Sequence, residues 1–319
     1  MYSRLRTWIC RALVGLIGVA FAWSTFAYAT SDSGAVPVFS GKRAMELVHL
    51  QCDLGPRVPG SPANRALQDT ILAHAEELGF EARRGCFRAT NPLTGEEMDV
   101  CNFVVILPGT GAGPSLWLGV HFDSRPLADQ DPDPRIRTQP VPGANDGASG
   151  VAVLWHLMEM AGASPPARTV VLMFLDGEDS GREGDPESFC LGSAHLAAGW
   201  GGFNSLLPAA RPEGVIILDM VGDADLEITQ ESLSLKYAPG WTSRVFERAA
   251  ALGLPAFQAR GGRAVFDDHI PFLRRGLPAV DLIDFDYSPW HTGGDVPSAC
   301  SAGSLAQSGA LLTDLIYNP

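Results

Sequence analysis

The chain has 319 residues, of which 46% are hydrophobic and 18% are charged. This balance is typical of a globular protein with a sizeable core and excludes a disordered chain. Lys and Arg number 23 against 36 for Asp and Glu, so the formal net charge is −13. Nucleic acids and anionic membrane surfaces require a basic face, and the sequence therefore predicts neither as a partner.

The N-terminal segment has the three parts of a secretory signal peptide. They are the positive residues Arg4, Arg6 and Arg11, the apolar run of residues 12–23, and the cleavage pattern Ala27-Tyr28-Ala29. We therefore predict a signal peptide over residues 1–29 and an exported protein, periplasmic or secreted, without membrane attachment after cleavage. An uncleaved membrane anchor is the alternative. Residues 30–40 are predicted to form a flexible leader, and residues 41–319 a single domain.

Apolar periodicity predicts that strands and helices alternate along this domain. In chain order we expect helices at 42–51 and 63–78, strands at 80–89, 98–107 and 115–120, a helix at 147–160, a strand at 169–175, a helix from 193, a strand at 215–220, a helix at 241–252, a strand at 278–283 and a helix at 301–316. Ser61 is expected to cap the second helix. The strands at 169–175 and 215–220 are continuously apolar, as strands buried on both faces are. The pattern predicts a three-layer α/β/α sandwich with a central mixed, largely parallel sheet.

Six cysteines are present, and the first lies in the predicted signal peptide. Five would remain after export, an odd number that leaves at least one free thiol. Cys86 and Cys101 flank a predicted hairpin turn and are one candidate pair, and Cys190 and Cys300 are the other. The spacing does not match a zinc finger, so we do not expect thiolate metal ligands.

Side chains that can bind a metal follow the predicted strands. They are His121 and Asp123 after the strand at 115–120, Asp146 at the start of the next helix, Glu178 and Asp179 after the strand at 169–175, Asp219 within the strand at 215–220, and His291 beyond the strand at 278–283. Any single one could be a helix cap or a surface charge. Because sites in α/β folds lie at the carboxyl ends of strands, we expect these side chains to converge. Histidine with carboxylates and no thiolate is the donor set of a catalytic zinc site, beside which a free carboxylate can act as general base.

The order of the motifs His-x-Asp, Asn-Asp, Gly-Glu-Asp, Asp and Trp-His-Thr resembles the zinc-dependent family-28 metallopeptidases over residues 42–317. The resemblance implies two zinc sites that share Asp146, with His121 and Asp219 completing one site and Asp179 and His291 completing the other. It also implies that Glu178 is the acid/base and that Asp123 orients His121.

The segment FDDHIPFLRRGLP, residues 266–278, closely resembles a hallmark of the animal-type glutaminyl cyclases, which share the peptidase fold. The aminopeptidases of the family usually carry Ser or Thr at the position of Asp267. The motifs GSAHLA at 192–197 and WHT at 290–292 also resemble the cyclases. The simpler interpretation of the first segment is a helix start that Asp267 or Asp268 caps.

The cyclase resemblance implies a glutaminyl-peptide cyclotransferase, an acyltransferase that converts the N-terminal Gln of peptides or proteins to pyroglutamate and releases ammonia. The implied site has the zinc ligands Asp146, Asp179 and His291, the catalytic acids Glu178, Asp219 and Asp267, and Trp290 as a wall of the substrate pocket. Asp219 and Asp267 would share a proton near Glu178. We expect one zinc ion per chain and a monomeric enzyme.

Two positions depart from the cyclase pattern. Asp179 stands where the cyclases carry Glu, and Gly184 stands where they carry a Trp that lines the pocket. The complete ligand set for two metals, with His121 and Asp219 at the second position, favours a secreted aminopeptidase with two zinc ions as the alternative. A non-catalytic binding protein is a third interpretation, which the intact Glu178 disfavours.

Overall fold

The computed structural model describes residues 36–319. The predicted signal peptide and the first part of the predicted leader lie outside the described residues. Residues 36–40 have no regular structure, but Phe39 is buried, and its ring meets that of His156 edge-on at 4.7 Å. Within residues 36–319, no helix has both the length and the apolar character that crossing a membrane requires.

The described chain alternates helices and strands as the periodicity predicts. The helices are α1 Gly41–Asp53, α2 Pro62–Glu77, α3 Ala148–Ala163, α4 Leu191–Gly199, α5 Ser232–Tyr237, α6 Pro239–Ala251, α7 His269–Arg274 and α8 Ala302–Tyr317. The strands are β1 Glu81–Thr90, β2 Glu97–Leu107, β3 Leu116–His121, β4 Val170–Leu175, β5 Gly214–Asp219, β6 Ile228–Gln230, β7 Phe257–Gly261 and β8 Ala279–Ile283. The short elements β6, β7 and α5 were not predicted, because so few residues show no clear period, and α7 was anticipated only as a helix start after Asp267 and Asp268.

The main sheet has six strands in the order β1-β2-β4-β3-β5-β8. Strands β4, β3, β5 and β8 are parallel, whereas β1 and β2 form an antiparallel hairpin that joins the sheet through β4. The predicted mixed, largely parallel sheet is therefore confirmed. Strands β6 and β7 form a separate parallel pair.

Helices cover both faces of the sheet. Along β4, Leu172 and Phe174 pack into one hydrophobic cluster, while Val171 and Met173 pack into another, because successive side chains point to opposite faces. The first cluster joins the sheet to α1, α2, α3, α6 and α8, and the second joins it to α4 and α7. This arrangement is the predicted three-layer sandwich.

The predicted cap of α2 is present. The Ser61 hydroxyl accepts a hydrogen bond of 3.1 Å from the backbone N–H of Asn64, and Pro62 occupies the first helical position. This turn directs α2 onto the sheet after the loop that contains Arg57.

One of the two predicted cysteine pairs is correct. Cys86 and Cys101 face each other across β1 and β2 and form a disulfide bond. The predicted pair of Cys190 and Cys300 is wrong, since both are free, as is Cys52. The fold separates them: Cys190 precedes α4 on one face of the sheet, whereas Cys300 forms a backbone bridge with Asp223 beyond the end of β5.

Candidate active site

The predicted metal-binding side chains converge at the carboxyl edge of the parallel strands, as the topology requires. Strands β3 and β5 end at His121 and Asp219, and the loop after β4 carries Glu178 and Asp179. Asp146 lies in the turn before α3. The loop after β8 brings His291 to the same place.

The first candidate metal site consists of Asp146, Asp179 and His291. One donor atom from each lies within 4.8 Å of the others, and all three residues are buried. The His291 Nε2 atom is 3.0 Å from Asp179 Oδ1 and 3.9 Å from Asp146 Oδ2. The set that the sequence predicts for a single metal ion is thus assembled by the fold.

The second candidate site consists of His121, Asp146 and Asp219, with donor atoms again within 4.8 Å of one another. The His121 Nε2 atom lies 3.0 Å from Asp219 Oδ1 and 3.2 Å from Asp146 Oδ1. Asp146 belongs to both sites. The geometry therefore preserves a complete arrangement for two metal ions.

The residues of the first site fit a cation. Asp179 Oδ2 is buried, and no donor among residues 36–319 hydrogen-bonds to it. Burial raises the pKa of Asp146 to about 6, and the charge of Asp179 adds to that shift. Two buried carboxylates beside one imidazole, with one oxygen lacking a partner, are the donor set of zinc in a catalytic site.

Asp123 connects the two sites. Its carboxylate accepts hydrogen bonds of 3.2 Å from the backbone N–H groups of Glu178 and Asp179, and it lies 3.6 Å from His121 Nδ1. Asp123 thus fixes the loop after β4 against the ring of His121.

Two supporting residues were not predicted. Arg125 is fully buried and contacts Asp179, and Asp295 accepts hydrogen bonds of 2.8 and 3.2 Å from the backbone N–H groups of Asn145 and Asp146. The one sequence feature that points to these residues is their proximity to the predicted motifs. Arg125 follows His-x-Asp, and Asp295 follows Trp-His-Thr.

A third cluster brings together Glu178, Asp267 and Cys190, with one polar atom from each within 4.8 Å of the others. Burial raises the pKa of Glu178 well above its usual value, and the negative charges of Asp267 and Asp179 act in the same direction. Glu178 and Asp267 both line one pocket, and Asp267 and Cys190 are buried.

The surroundings of Asp267 differ from the prediction. Helix α7 starts at His269, but neither Asp267 nor Asp268 is a side-chain cap on it: Asp268 accepts a hydrogen bond of 2.5 Å from the Ser193 hydroxyl. The backbone N–H of Asp268 donates to Asp267 Oδ1.

Asp219, the expected proton-sharing partner of Asp267, lies with its Oδ1 atom 3.0 Å from His121 Nε2, and burial together with the charge of Asp267 raises the pKa of Asp219. Asp281, on β8, is a further buried carboxyl group: burial and the charge of Asp267 raise its pKa well above the usual value, and its Oδ2 atom lies 3.6 Å from His269 Nδ1. Asp281 was not predicted as a site residue, because it lies inside an apolar strand.

The site opens into a pocket of about 310 Å³. Trp290 lies in its wall and stacks on the ring of His291, with centroids 3.6 Å apart, while Phe285 packs beside Trp290 at 5.2 Å. Gly184 also borders the pocket, and a Cβ atom there would meet nothing within 4 Å. The wall is therefore aromatic on one side and open at Gly184.

Backbone conformation is unusual around this pocket. Three non-glycine residues of the described chain have left-handed backbone angles: Cys190, Met220 and His291, with φ of 58°, 47° and 54°. Each lies beside or within a candidate cluster. Such conformations persist where the surrounding structure holds them, and they concentrate at functional sites.

The chain is an α/β/α sandwich with histidine and carboxylate clusters at the carboxyl edge of its sheet. This combination is typical of the zinc-dependent exopeptidase fold. Within that class, the chain belongs to peptidase family M28, whose family model matches residues 102–316.

Among curated proteins, the chain is similar to the bovine glutaminyl-peptide cyclotransferase-like protein, with 29% identity over 271 residues. The match covers 75% of this chain and 66% of the bovine protein, so the chain spans slightly less than two thirds of that relative.

Among solved structures, the chain is similar to a Zn-dependent exopeptidase from Parabacteroides distasonis, with a TM-score of 0.82, 30% identity, and coverage of 89% of this chain and 100% of that one. The glutaminyl cyclase of Tannerella forsythia gives a TM-score of 0.80, 30% identity and the same coverage of 89% and 100%.

Proposed function

We propose that this chain is a zinc-dependent glutaminyl-peptide cyclotransferase that converts the N-terminal Gln of peptides or proteins to pyroglutamate and releases ammonia. The observation that carries the proposal is the carboxyl group of Asp267 next to Glu178 in the pocket, with polar atoms of the two within 4.8 Å. The aminopeptidases that the sequence resembles carry a hydroxyl residue at that position. The bovine relative and the Tannerella forsythia structure described above support the same function.

Asp146, Asp179 and His291 would hold one zinc ion. When bound there, zinc polarises the γ-carbonyl group of the substrate glutamine. Arg125 donates to Asp179 Oδ1 at 3.1 Å, and Asp295 binds the backbone at Asp146, so both carboxylate ligands are held in place.

Glu178 is the proton carrier. It takes a proton from the α-amine as the bond between the amine nitrogen and Cδ forms, and it delivers that proton to the nitrogen that leaves as ammonia when the Cδ–N bond breaks. Burial and neighbouring carboxylates raise its pKa above that of a free Glu, which makes it a stronger base for the amine proton.

Asp267 would bind the substrate nitrogen atoms. Its carboxylate borders the pocket and can accept N–H bonds from the α-amine or the side-chain amide, and a proton shared with Asp219 would limit the accumulated charge. Trp290 forms the pocket wall beside His291 and holds the glutamine side chain in a folded conformation.

The alternative function is a secreted aminopeptidase with two zinc ions, and the intact group of His121, Asp146 and Asp219 favours it. There, Glu178 would activate a water molecule for attack on the first peptide bond. We infer export to the periplasm or medium, action on peptide or protein N-termini, and a monomeric state under either function.

The deciding experiment incubates the purified protein with a Gln-peptide and a matched Leu-peptide in parallel. We expect ammonia and a pyroglutamyl peptide from the first and no free leucine from the second. Glu178→Gln, tested in the same way, shows whether a contaminating enzyme produces the signal. Free leucine without ammonia would replace the cyclase proposal with the aminopeptidase.

A further inference from the structure

Cys190 lies against the proton carrier of the proposed reaction. Its Sγ atom is 3.5 Å from Glu178 Oε1, and its backbone N–H donates a hydrogen bond of 3.1 Å to the Glu178 carbonyl oxygen. Among residues 36–319, no other side chain donates a hydrogen bond to the Glu178 carboxylate. The Cys190 side chain is buried, so water does not compete for the contact.

We propose that Cys190 is a positioning residue, whose S–H group donates to Oε1 of Glu178 and leaves Oε2 to exchange the proton with the substrate. This inference rests on the proposed function only through Glu178 as proton carrier, and the aminopeptidase alternative gives Glu178 the same task.

The backbone at Cys190 is built around this contact. Its angles of φ 58° and ψ 34° place it in the left-handed region, which L residues with a Cβ rarely adopt. Ser193 holds the turn, since its hydroxyl lies 3.1 Å from the Cys190 carbonyl oxygen and 2.5 Å from Asp268 Oδ1. A glycine would adopt these angles without strain but would bring no side chain to Glu178.

The charges around the thiol keep it protonated. Burial raises the pKa of Cys190 well above its usual value, and the carboxylates of Glu178, Asp268 and Asp267 add to that shift. A protonated thiol can donate, whereas a thiolate would repel Glu178. Cys190 therefore acts as a hydrogen-bond donor and not as a nucleophile.

Three variants separate this role from simple packing. Cys190→Ala keeps the backbone but removes the donor, and we expect kcat on a Gln-peptide to fall about tenfold, with KM and zinc content unchanged. Cys190→Ser restores a donor and should recover kcat to within about threefold of the wild type. Cys190→Gly relieves the strain of the left-handed backbone, so its Tm should not fall below that of Cys190→Ala. Its kcat should be as low as that of Cys190→Ala, because it also lacks the donor.

The matched control is Cys52→Ala, which removes another free thiol, located in α1, and should leave kcat unchanged. A direct readout is the infrared S–H band that disappears in Cys190→Ser. In Glu178→Ala this band should move to higher frequency, because the acceptor is lost.

Equal kcat values for Cys190→Ala and Cys190→Ser would overturn the proposal. So would an S–H band whose frequency is the same in Glu178→Ala as in the wild type. If Cys190→Ala does not fold, the comparison of Cys190→Ser with Cys190→Gly decides. If the wild type releases leucine but no ammonia, the cyclase function fails, and the same variants measured on the Leu-peptide then test Cys190 on its own.

Discussion

Arg125 donates a hydrogen bond from Nη1 to Oδ1 of Asp179 at 3.1 Å, inside a site that excludes solvent from both side chains. Its Nε and Nη2 atoms bind the two oxygens of Asp129, each at 2.7 Å. Asp179 is one methylene shorter than the Glu that the cyclases carry there, so its carboxylate has less reach. The paired guanidinium holds that short arm in a single orientation.

Arg125→Lys is therefore expected to weaken zinc binding by about 10- to 100-fold, the range for residues that orient metal ligands. A lysine keeps the charge but lacks the planar guanidinium that pairs with both oxygens of Asp129 while it contacts Asp179. Competition with a chromophoric chelator measures the Kd, and Arg84→Lys, on the exposed face of β1, is the control. An unchanged Kd with an altered KM would assign Arg125 to substrate binding instead.

Glu178→Gln should retain zinc and lose about 10²–10⁴-fold in kcat, because the amide cannot carry a proton. Asp179→Ala should lose the metal as well as activity. Elemental analysis of both variants, combined with ammonia release, makes the comparison. Loss of zinc from Glu178→Gln and its retention in Asp179→Ala would reverse the roles of these neighbours.

Asp267→Ser should abolish cyclisation while one zinc ion per chain stays bound, since Asp267 contributes to the substrate pocket and not to the first metal site. Asp225→Ser, a change at an exposed acid, is the matched control. The measurements are ammonia release and zinc stoichiometry. Two tightly bound zinc ions in a variant still active on Leu-peptides would favour the aminopeptidase.

Away from the site, Glu159 predicts a pH effect on stability. Burial alone would raise its pKa, but hydrogen bonds from His156 at 2.9 Å and from Arg43 at 2.7 Å outweigh burial and lower the pKa to about 2. A carboxylate whose pKa falls on folding stabilises the protein above its unfolded pKa of about 4.3, and this contribution disappears as the pH drops towards 2.

Glu159→Gln should thus lower the free energy of unfolding at pH 7 by about 1 kcal/mol, a value reduced for solvent screening. The difference from the wild type should vanish between about pH 4 and pH 2. Denaturant melts in the presence of chelator measure it, and Glu46→Gln, which removes an exposed partner of Arg43, should have little effect at any pH. A difference that is constant with pH would contradict the assignment.

The disulfide between Cys86 and Cys101 closes a loop with a sequence separation of 15 residues. Restricting the unfolded chain to a loop of this length contributes about 3 kcal/mol to stability. The double variant Cys86→Ser, Cys101→Ser should lose about that free energy in urea unfolding. The wild type under reducing conditions should match it, whereas Cys52→Ser should not.

Local patterns in the sequence sufficed to predict the larger elements of the sheet, the cap at Ser61 and the edge where His121, Asp146, Glu178, Asp179 and His291 meet. These predictions succeed because period, capping and strand-end position depend on neighbouring residues and on a general rule of parallel sheets. The hairpin disulfide belongs to the same group, since its two cysteines lie on strands joined by one turn.

Only the tertiary structure shows which side chains hold the candidate site residues in place. Arg125 reaches Asp179 because β3 and β4 are neighbours, and Cys190 meets Glu178 where the chain turns into α4. The failed pairing of Cys190 with Cys300 has the same origin. Contacts between distant segments depend on strand order and on burial. Both are established only when the whole sheet assembles, so no short stretch of sequence encodes these contacts.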